Sequence, residues 1–331
     1  MGSFRNHVRH SGEKDPAGAW RMGRASLLGT WVTLALLLAC TPPDRPARFP
    51  GPLPEDLLAY LEADSTSARF LDHGLSYHFV RSEKGPWAVH ILRVELERCD
   101  LGLRVLPAGE AGSYGAGLST VTALVGAADG DVLAAVNGDF FTPEGRPLGP
   151  EVADEQILWS RERPALEWTP GRAPWIGTVQ RDGNGLSAGI SVSRSEPGPT
   201  QVIGGFPELL DAGAPVTTDD PDSDQEFVSV RHPRTAVGYD PVARRLWVVV
   251  VDGRQGSYSS GMTLAEMTTT LSATGATEGL NLDGGGSSVM IADGRTMSRP
   301  SHVDGERAVR NALAVVSDPA FCRAAPALEL P

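Results

Sequence analysis

Leu92, Val94 and Leu96 alternate with Arg93, Glu95 and Glu97. Side chains of a strand point to its two faces in turn, so this period of two predicts a half-buried strand. Asp100-Leu101-Gly102 then turns into Leu103-Arg104-Val105-Leu106, which predicts an antiparallel hairpin. Further on the period lengthens. Val121, Leu124, Val125 and Ala128 share a helical face within Ser119 to Ala128, and the short apolar run Val132 to Val136 ends at Asn137-Gly138-Asp139-Phe140-Phe141. A similar succession returns later. Thr263 with Glu266 forms a capping box, Leu264, Met267 and Leu271 share a face, Gly275 closes the helix, and an apolar strand runs into Asp283.

Between these stretches, Trp159 to Gly189 has weak periodicity and predicts short strands with long exposed connections. Gln201 to Leu210 makes a turn, and Leu53 to Leu61 reads as a short helix with Glu55 and Asp56 in its favourable first turn. Thr235 to Tyr239 and Leu246 to Val251 read as strands joined through Asp240-Pro241-Val242-Ala243. Antiparallel pairing sets Arg234 opposite the neighbourhood of Val251 and Asp252, so Arg234, Asp252 and Arg254 are expected to meet at one end of that hairpin. These elements predict an α+β fold, a mixed, largely antiparallel sheet with helices packed on it. A helical and extended segment at 55–84 precedes a single domain at 85–320, and 321–331 form a tail.

The first 39 residues change the picture. Met22-Gly23-Arg24, the apolar run Leu27 to Leu38, and Ala39 before Cys40 read as an export signal over residues 1–39, with Met22 the better start. About a dozen apolar residues fall short of the roughly 20 that span a bilayer, although a short membrane anchor is the alternative. The signal resembles that of bacterial lipoproteins. That likeness implies lipidation at Cys40 and a place in the bacterial cell envelope, held to the membrane by the lipid and facing the periplasm or exterior. Residues 40–54, with Pro42, Pro43, Pro46, Pro50, Pro52 and Pro54, make an extended tether.

Lys and Arg number 29 against 41 Asp and Glu, a net charge of −12. Arg5, Arg9, Lys14, Arg21 and Arg24 lie in the leader, so the remainder is more acidic still and is a poor partner for nucleic acid. An anionic ligand must therefore be met by locally placed arginines. Cys99 and Cys322 either pair in an oxidising compartment or stay as two buried thiols.

Candidate chemistry centres on Gly279 to Met290. One carboxylate, Asp283, follows an apolar run and precedes Gly284-Gly285-Gly286-Ser287-Ser288. Glycine backbone takes φ > 0 and approaches a ligand closely, and consecutive N–H groups in such a turn form an anion-binding concavity; a tight turn between strands is the plainer alternative. Asn137, Arg234, Asp252 and Asp283 all sit where strands run out into loops, so they are expected to converge at one rim. An ordinary ion pair is the other reading of Arg234 with Asp252. The set suits a phosphodiester attached to a sugar: arginines for the phosphate oxygens, carboxylates for glycosidic cleavage.

Other chemistries find less support. The 7 histidines form no metal motif, His232 and His302 read as scaffold, and no metal or cofactor is expected. Ser287 lies outside Gly-x-Ser-x-Gly, and no Gly-Lys-Ser/Thr follows the glycines. Asp219 to Glu226 lacks calcium-loop spacing and reads as solvated charge. Trp159, Trp168 and Trp175 either stack on sugar or cover core, the second being favoured.

Asn137-Gly138-Asp139-Phe140-Phe141, Arg234-Thr235-Ala236-Val237-Gly238, Val251-Asp252-Gly253-Arg254, Gly261-Met262-Thr263-Leu264, Asn281 to Ser288 and Arg307-Ala308-Val309-Arg310-Asn311-Ala312-Leu313 occur in that order. This ordered set resembles the phosphodiester glycosidase family. The resemblance implies a single catalytic domain that hydrolyses the bond between a sugar's anomeric carbon and a phosphodiester, with a sugar-phosphate or glycan as substrate. It implies catalytic roles for Asp283 and Asp252. Asn137, Arg234, Arg254, Gly284, Gly285, Gly286, Ser287, Ser288, Arg307 and Asn311 are implied to bind substrate or phosphate. Asp139 departs from the glycine often found at its motif position and is left out of the expected mechanism. Which carboxylate is nucleophile and which acid stays open. A non-catalytic lipoprotein that binds anionic glycan is the rival reading.

Overall fold

The computed structural model describes residues 51–109, 117–182, 185–187, 201–216 and 225–324. The export signal, Cys40, the tether up to residue 50, residues 219–224 of the expected acidic loop and the tail beyond residue 324 lie outside the described residues, while Gln225 and Glu226 of that stretch are helical. In chain order the first elements are α1 (Glu55–Leu61), β1 (Ser65–Asp72), β2 (Leu75–Ser82), β3 (Trp87–Glu95), β4 (Leu101–Pro107), α2 (Val121–Ala127) and β5 (Asp131–Asn137). Seven short strands follow: β6 (Glu151–Ala153), β7 (Gln156–Trp159), β8 (Arg163–Trp168), β9 (Trp175–Asp182), β10 (Gly185–Ser187), β11 (Gln201–Gly204) and β12 (Glu208–Asp211). The rest are β13 (Ala214–Pro215), α3 (Gln225–Ser229), β14 (Arg234–Asp240), β15 (Arg245–Val251), α4 (Leu264–Ser272), β16 (Glu278–Asn281), β17 (Met290–Ala292), β18 (Arg295–Thr296), β19 (Asn311–Ser317) and α5 (Pro319–Ala324).

The strands form three sheets with antiparallel pairing throughout. One runs β1-β2-β3-β15-β14-β16-β12-β13, a second β10-β9-β8-β11-β6-β7, and a third β18-β17-β5-β19-β4. Alternation along the first sheet gives it two apolar faces. Val237, Leu246, Val248 and Val250 pack towards the other two sheets, against Val105, Ala135, Leu166, Ile203 and Leu313. Ala236, Trp247, Val249 and Val251 face the helices, meeting Leu57 and Leu61 of α1 and Leu264, Met267 and Leu271 of α4. Each such aliphatic side chain contributes about 1.5–3 kcal/mol when fully buried.

Helix α4 starts at the expected capping box: Thr263 Oγ1 accepts from the Glu266 N–H at 3.1 Å, and the Glu266 carboxylate accepts from the Thr263 N–H at 2.9 Å. Trp168 is buried and packs edge-on against Phe321, so it covers core. Residues 55–84 supply α1, β1 and β2, and β2 pairs with β3 along its length.

The hairpin expected from β3 into β4 does not form. β3 lies between β2 and β15, while β4 pairs with β19 in another sheet. Partners on both sides bury nearly all of β3, where local alternation suggested one solvated face. The connection from β3 to β4 carries Cys99, which is disulfide-bonded to Cys322 on α5 across a sequence separation of 223.

Candidate active site

Strand ends from all three sheets meet at one place. β5 and β16 belong to different sheets, yet the Asp283 N–H donates to Gly138 O at 2.9 Å and Asn137 Nδ2 donates to Asp283 O at 2.6 Å. Asn137 Oδ1 accepts from Thr235 Oγ1 at 2.8 Å and from the Val289 N–H at 3.2 Å. The Asn137 amide is therefore engaged in joining β5, β14 and the loop after β16. Asn311 behaves likewise. Its Nδ2 donates to Glu151 Oε1 at 3.0 Å, and its Oδ1 accepts from the Asp139 N–H at 2.8 Å. Arg310 donates to the other Glu151 oxygen at 3.0 and 3.2 Å. Burial nevertheless holds the Glu151 carboxyl above its ordinary range. Both asparagines, expected among the substrate donors, are braces beneath the site.

Above them lie two carboxyl groups. Asp283 Oδ1 accepts from the Gly284 N–H at 2.8 Å. Burial pushes its pKa up to about 6, against the opposing pull of the Ser287 hydroxyl, the Gly284 N–H and Arg307. Asp139 is 1% exposed; its Oδ2 accepts from the Gly149 N–H at 2.6 Å, while its Oδ1 is buried without a hydrogen-bond partner among the described residues. Burial pushes it up to about 7, with the Asp283 charge adding to the rise and Arg163 opposing it. Glycines make this cradle possible, because a Cβ on Gly204 would stand 2.7 Å from Asp139 Oδ2. The Arg163 guanidinium lies 4.8 Å from the Phe206 ring centroid and 5.6 Å from that of Phe140. Its buried Nε has no hydrogen-bond partner among the described residues.

Two more guanidinium groups rest on the glycine loop. Arg254 is exposed, and its Nη2 lies 3.1 Å from His232 Nδ1. A Cβ on Gly285, whose φ is +61°, would meet Arg254 Nη2 at 3.2 Å. Arg307 donates to Ser287 Oγ at 3.3 Å, lies 4.9 Å from the Phe141 ring centroid, and packs beside Gly286. The glycines thus admit cations to the backbone.

Most of the loop's amides are engaged within the protein rather than turned to an anion. A 3₁₀ turn at Gly285–Ser287 closes them onto nearby oxygens: Gly285 N–H onto Pro233 O at 2.8 Å, Ser287 N–H onto Gly284 O at 3.1 Å, Ser288 N–H onto Gly285 O at 3.3 Å. The Ser288 hydroxyl is buried without a hydrogen-bond partner among the described residues.

The expected meeting of Arg234 with Asp252 does not occur either. Arg234 pairs with Val251 as the hairpin requires, and Asp252, one residue on, points to the opposite face of the sheet. Arg234 is directed towards the helices, donating to Met262 O at 2.9 Å, Phe227 O at 2.6 Å and Val230 O at 3.2 Å, and its burial lowers its pKa to about 10. Asp252 faces the inner layer, bonded to His90, Tyr258 and the Arg299 N–H. His232 sits by Arg254, and burial lowers its pKa.

Asp283, Arg254, Arg307, Ser287 and the three glycines therefore come together, whereas Asn137, Asn311 and Arg234 support them and Asp252 lies elsewhere. Asp139 and Arg163 complete the group without having been expected. Asp139 stands in the same strand-end motif as Asn137, a signal that was available; Arg163 lies in an aperiodic stretch with none. Two carboxyl groups raised to about 6 and 7 share one proton between them midway between those two values. Beside cations, such a pair suits acid–base or nucleophilic work on an anionic substrate.

Comparison with known proteins agrees with this chemistry. A family model described as phosphodiester glycosidase matches residues 130–316, as the ordered motifs led one to expect. No curated protein matches the chain. A hypothetical protein from Synechocystis superposes with a TM-score of 0.61 at 17% identity, over 77% of this chain and 64% of that one. This chain thus spans a little under two thirds of the Synechocystis protein. The catalytic domain of zebrafish N-acetylglucosamine-1-phosphodiester alpha-N-acetylglucosaminidase, auto-inhibited by its pro-peptide, superposes with a TM-score of 0.56 at 22% identity, covering 76% and 83% of the two chains. At these identities the likeness is one of fold.

Proposed function

Because this chain belongs to the phosphodiester glycosidase family, we propose that it is a hydrolase that cleaves the glycosidic bond of a sugar-1-phosphodiester on an envelope or extracellular glycan. The observation that carries this reading is the pairing of a buried carboxyl group, Asp139, and a half-buried one, Asp283, with guanidinium groups on the glycine loop. Arg254 and Arg307 hold the non-bridging phosphate oxygens as bidentate donors. Asp283, the more acidic of the two and supported by the Ser287 hydroxyl, acts ionised at the anomeric carbon, either directly or by deprotonating water. Asp139 is the more readily protonated of the two and delivers its proton to the departing phosphate oxygen. The anomeric C–O bond breaks, water's hydroxyl ends on the sugar, and the phosphate leaves as a monoester.

The test is sugar release from methyl diesters of N-acetylglucosamine, glucose and mannose 1-phosphate. Asp283→Asn is expected to lower turnover by about 1,000-fold while the thermal transition persists, which is the scale of a positioned acid–base group. Unchanged turnover removes Asp283 from the reaction, and binding without product in the wild type favours the non-catalytic glycan binder instead.

The same reading places the protein on the membrane through a lipid at Cys40, with the disulfide between Cys99 and Cys322 consistent with an oxidising compartment. Cys40→Ser is expected to move the protein from the membrane pellet to the soluble fraction. A protein that stays in the pellet overturns the anchor.

A further inference from the structure

Asp252, displaced from the site, leads to a second place where ligand chemistry is assembled. It belongs to a buried chain of polar groups: His90 Nε2 lies 3.0 Å from Asp252 Oδ2, and Tyr77 Oη lies 2.8 Å from His90 Nδ1. In the neutral ring the carboxylate requires the proton on Nε2, so Nδ1 accepts from the Tyr77 hydroxyl, and the Tyr77 oxygen retains its lone pairs for another donor. Tyr258 Oη donates to the same carboxylate at 3.2 Å. Tyr77, His90 and Tyr258 line a cavity of about 410 Å³, together with Phe79, Ser67 and Arg69. That volume lies in the range of small-molecule sites, about 300–1,000 Å³.

The walls differ in kind from those of the catalytic site. Tyr258 is a fixed platform, with Arg81 and Arg299 guanidinium carbons 5.5 and 5.1 Å from its ring centroid. Arg81 is occupied by the Trp87, Ser257 and Tyr258 carbonyls. At the rim, Arg69 makes among the described residues an exposed 3.8 Å pair with Asp293, a contact weak enough to leave its donors to a ligand. Aromatic faces, hydroxyl groups and one accessible guanidinium match a sugar ring, which has an apolar C–H face and a belt of hydroxyls. They do not match a second phosphate, which needs clustered cations.

The cavity and the catalytic site draw residues from one loop. Residues 252–260 form one tight loop, closed by Gln255 N–H to Ser259 O at 3.1 Å and Tyr258 N–H to Gln255 O at 3.0 Å. Near one end of this loop Arg254 lies on Gly285, and near the other Tyr258 faces the cavity. We propose that this cavity is a saccharide subsite, holding a sugar of the glycan that carries the scissile diester, stacked on Phe79 beside Tyr258 and hydrogen-bonded to Tyr77, Ser67 and Arg69. The proposal rests on the glycosidase reading for the identity of the glycan, and its test needs no turnover.

Chitotetraose and mannotetraose are titrated calorimetrically into the wild-type chain, Ser67→Trp and Arg69→Ala. Ser67 lies on the exposed strand β1, where an indole is accommodated at the cavity rim without entering the core. At least one tetrasaccharide is expected to bind the wild type, with Ser67→Trp weakening it about tenfold or more and Arg69→Ala about three- to tenfold, both variants keeping the wild-type melting transition. Binding of neither sugar, or equal binding by wild type and Ser67→Trp, overturns the subsite. Absence of sugar release from the methyl diesters, with tetrasaccharide binding intact, overturns the catalytic reading and leaves a saccharide site.

Discussion

Asp139 and Asp283 are taken from water into a cradle of glycines and peptide groups, and burial is the largest cause of both rises in pKa. An isolated aspartate near 3.8 would be fully ionised at neutral pH and useless as an acid. Held at about 7 and about 6, the two divide the roles between them. The rate constant kcat/KM should rise as pH passes about 6, when Asp283 ionises, and fall above about 7, when Asp139 loses its proton. Initial rates across this interval test this, and a flat profile counts against the pair. The same shift acts on stability. Asp139 binds its proton more tightly folded than unfolded, so the stability it contributes is complete below about pH 4 and is lost as pH rises through about 7. Asp139→Asn, which cannot ionise, is expected to be roughly 2–4 kcal/mol more stable than wild type at pH 8 and to match it near pH 4, at the cost of most activity. Thermal melts at the two pH values decide this; equal melting at pH 8 would mean that burial does not raise the affinity of this carboxyl for its proton.

At the scale of elements, local signals were legible and long-range ones were not. The capping box at Thr263 and Glu266 needs only neighbours in the chain, and it forms as read. The register of β14 with β15 was readable because a short turn fixes it, and Arg234 does face Val251. Yet a strand's period of two turns a one-residue offset into opposite faces, and that offset separates Arg234 from Asp252. The supposed hairpin from β3 to β4 failed for a different reason. β3 takes its partner from β15, more than a hundred residues later, and no pattern within Leu92 to Leu106 encodes that choice. The candidate site divides along the same line. Asp283 and the glycines were visible in one segment, whereas the surroundings that bury Asp139 come from Gly149 and Gly204, with Arg163 beside them as an opposing charge, in segments whose periodicity pointed nowhere.

At the scale of the whole molecule, the disulfide and the site lie at opposite ends of shared strands. Asn311 opens β19 at the site, and Cys322 follows the strand's other end, about 20 Å away at 3.3 Å per residue. Cys99 likewise lies beyond the end of β3 remote from the Val89–Val251 pair that precedes Asp252. The cross-link therefore joins the eight-stranded sheet to the element that follows the five-stranded sheet, without touching any group that meets substrate. Cys322→Ser is expected to cost about 2–5 kcal/mol of stability, since the bridge closes a very long loop and restrains the unfolded chain. Both cysteines are exposed, so a thiol reductant should reproduce that loss in the wild type and add nothing to the variant. Turnover at temperatures below the lowered melting transition should stay near wild type, because the strand ends at the site are fixed separately by Asn137, Asn311 and Glu151. A variant with unchanged melting but much reduced kcat would show that the cross-link shapes the site itself, and that the two ends of these strands are mechanically coupled.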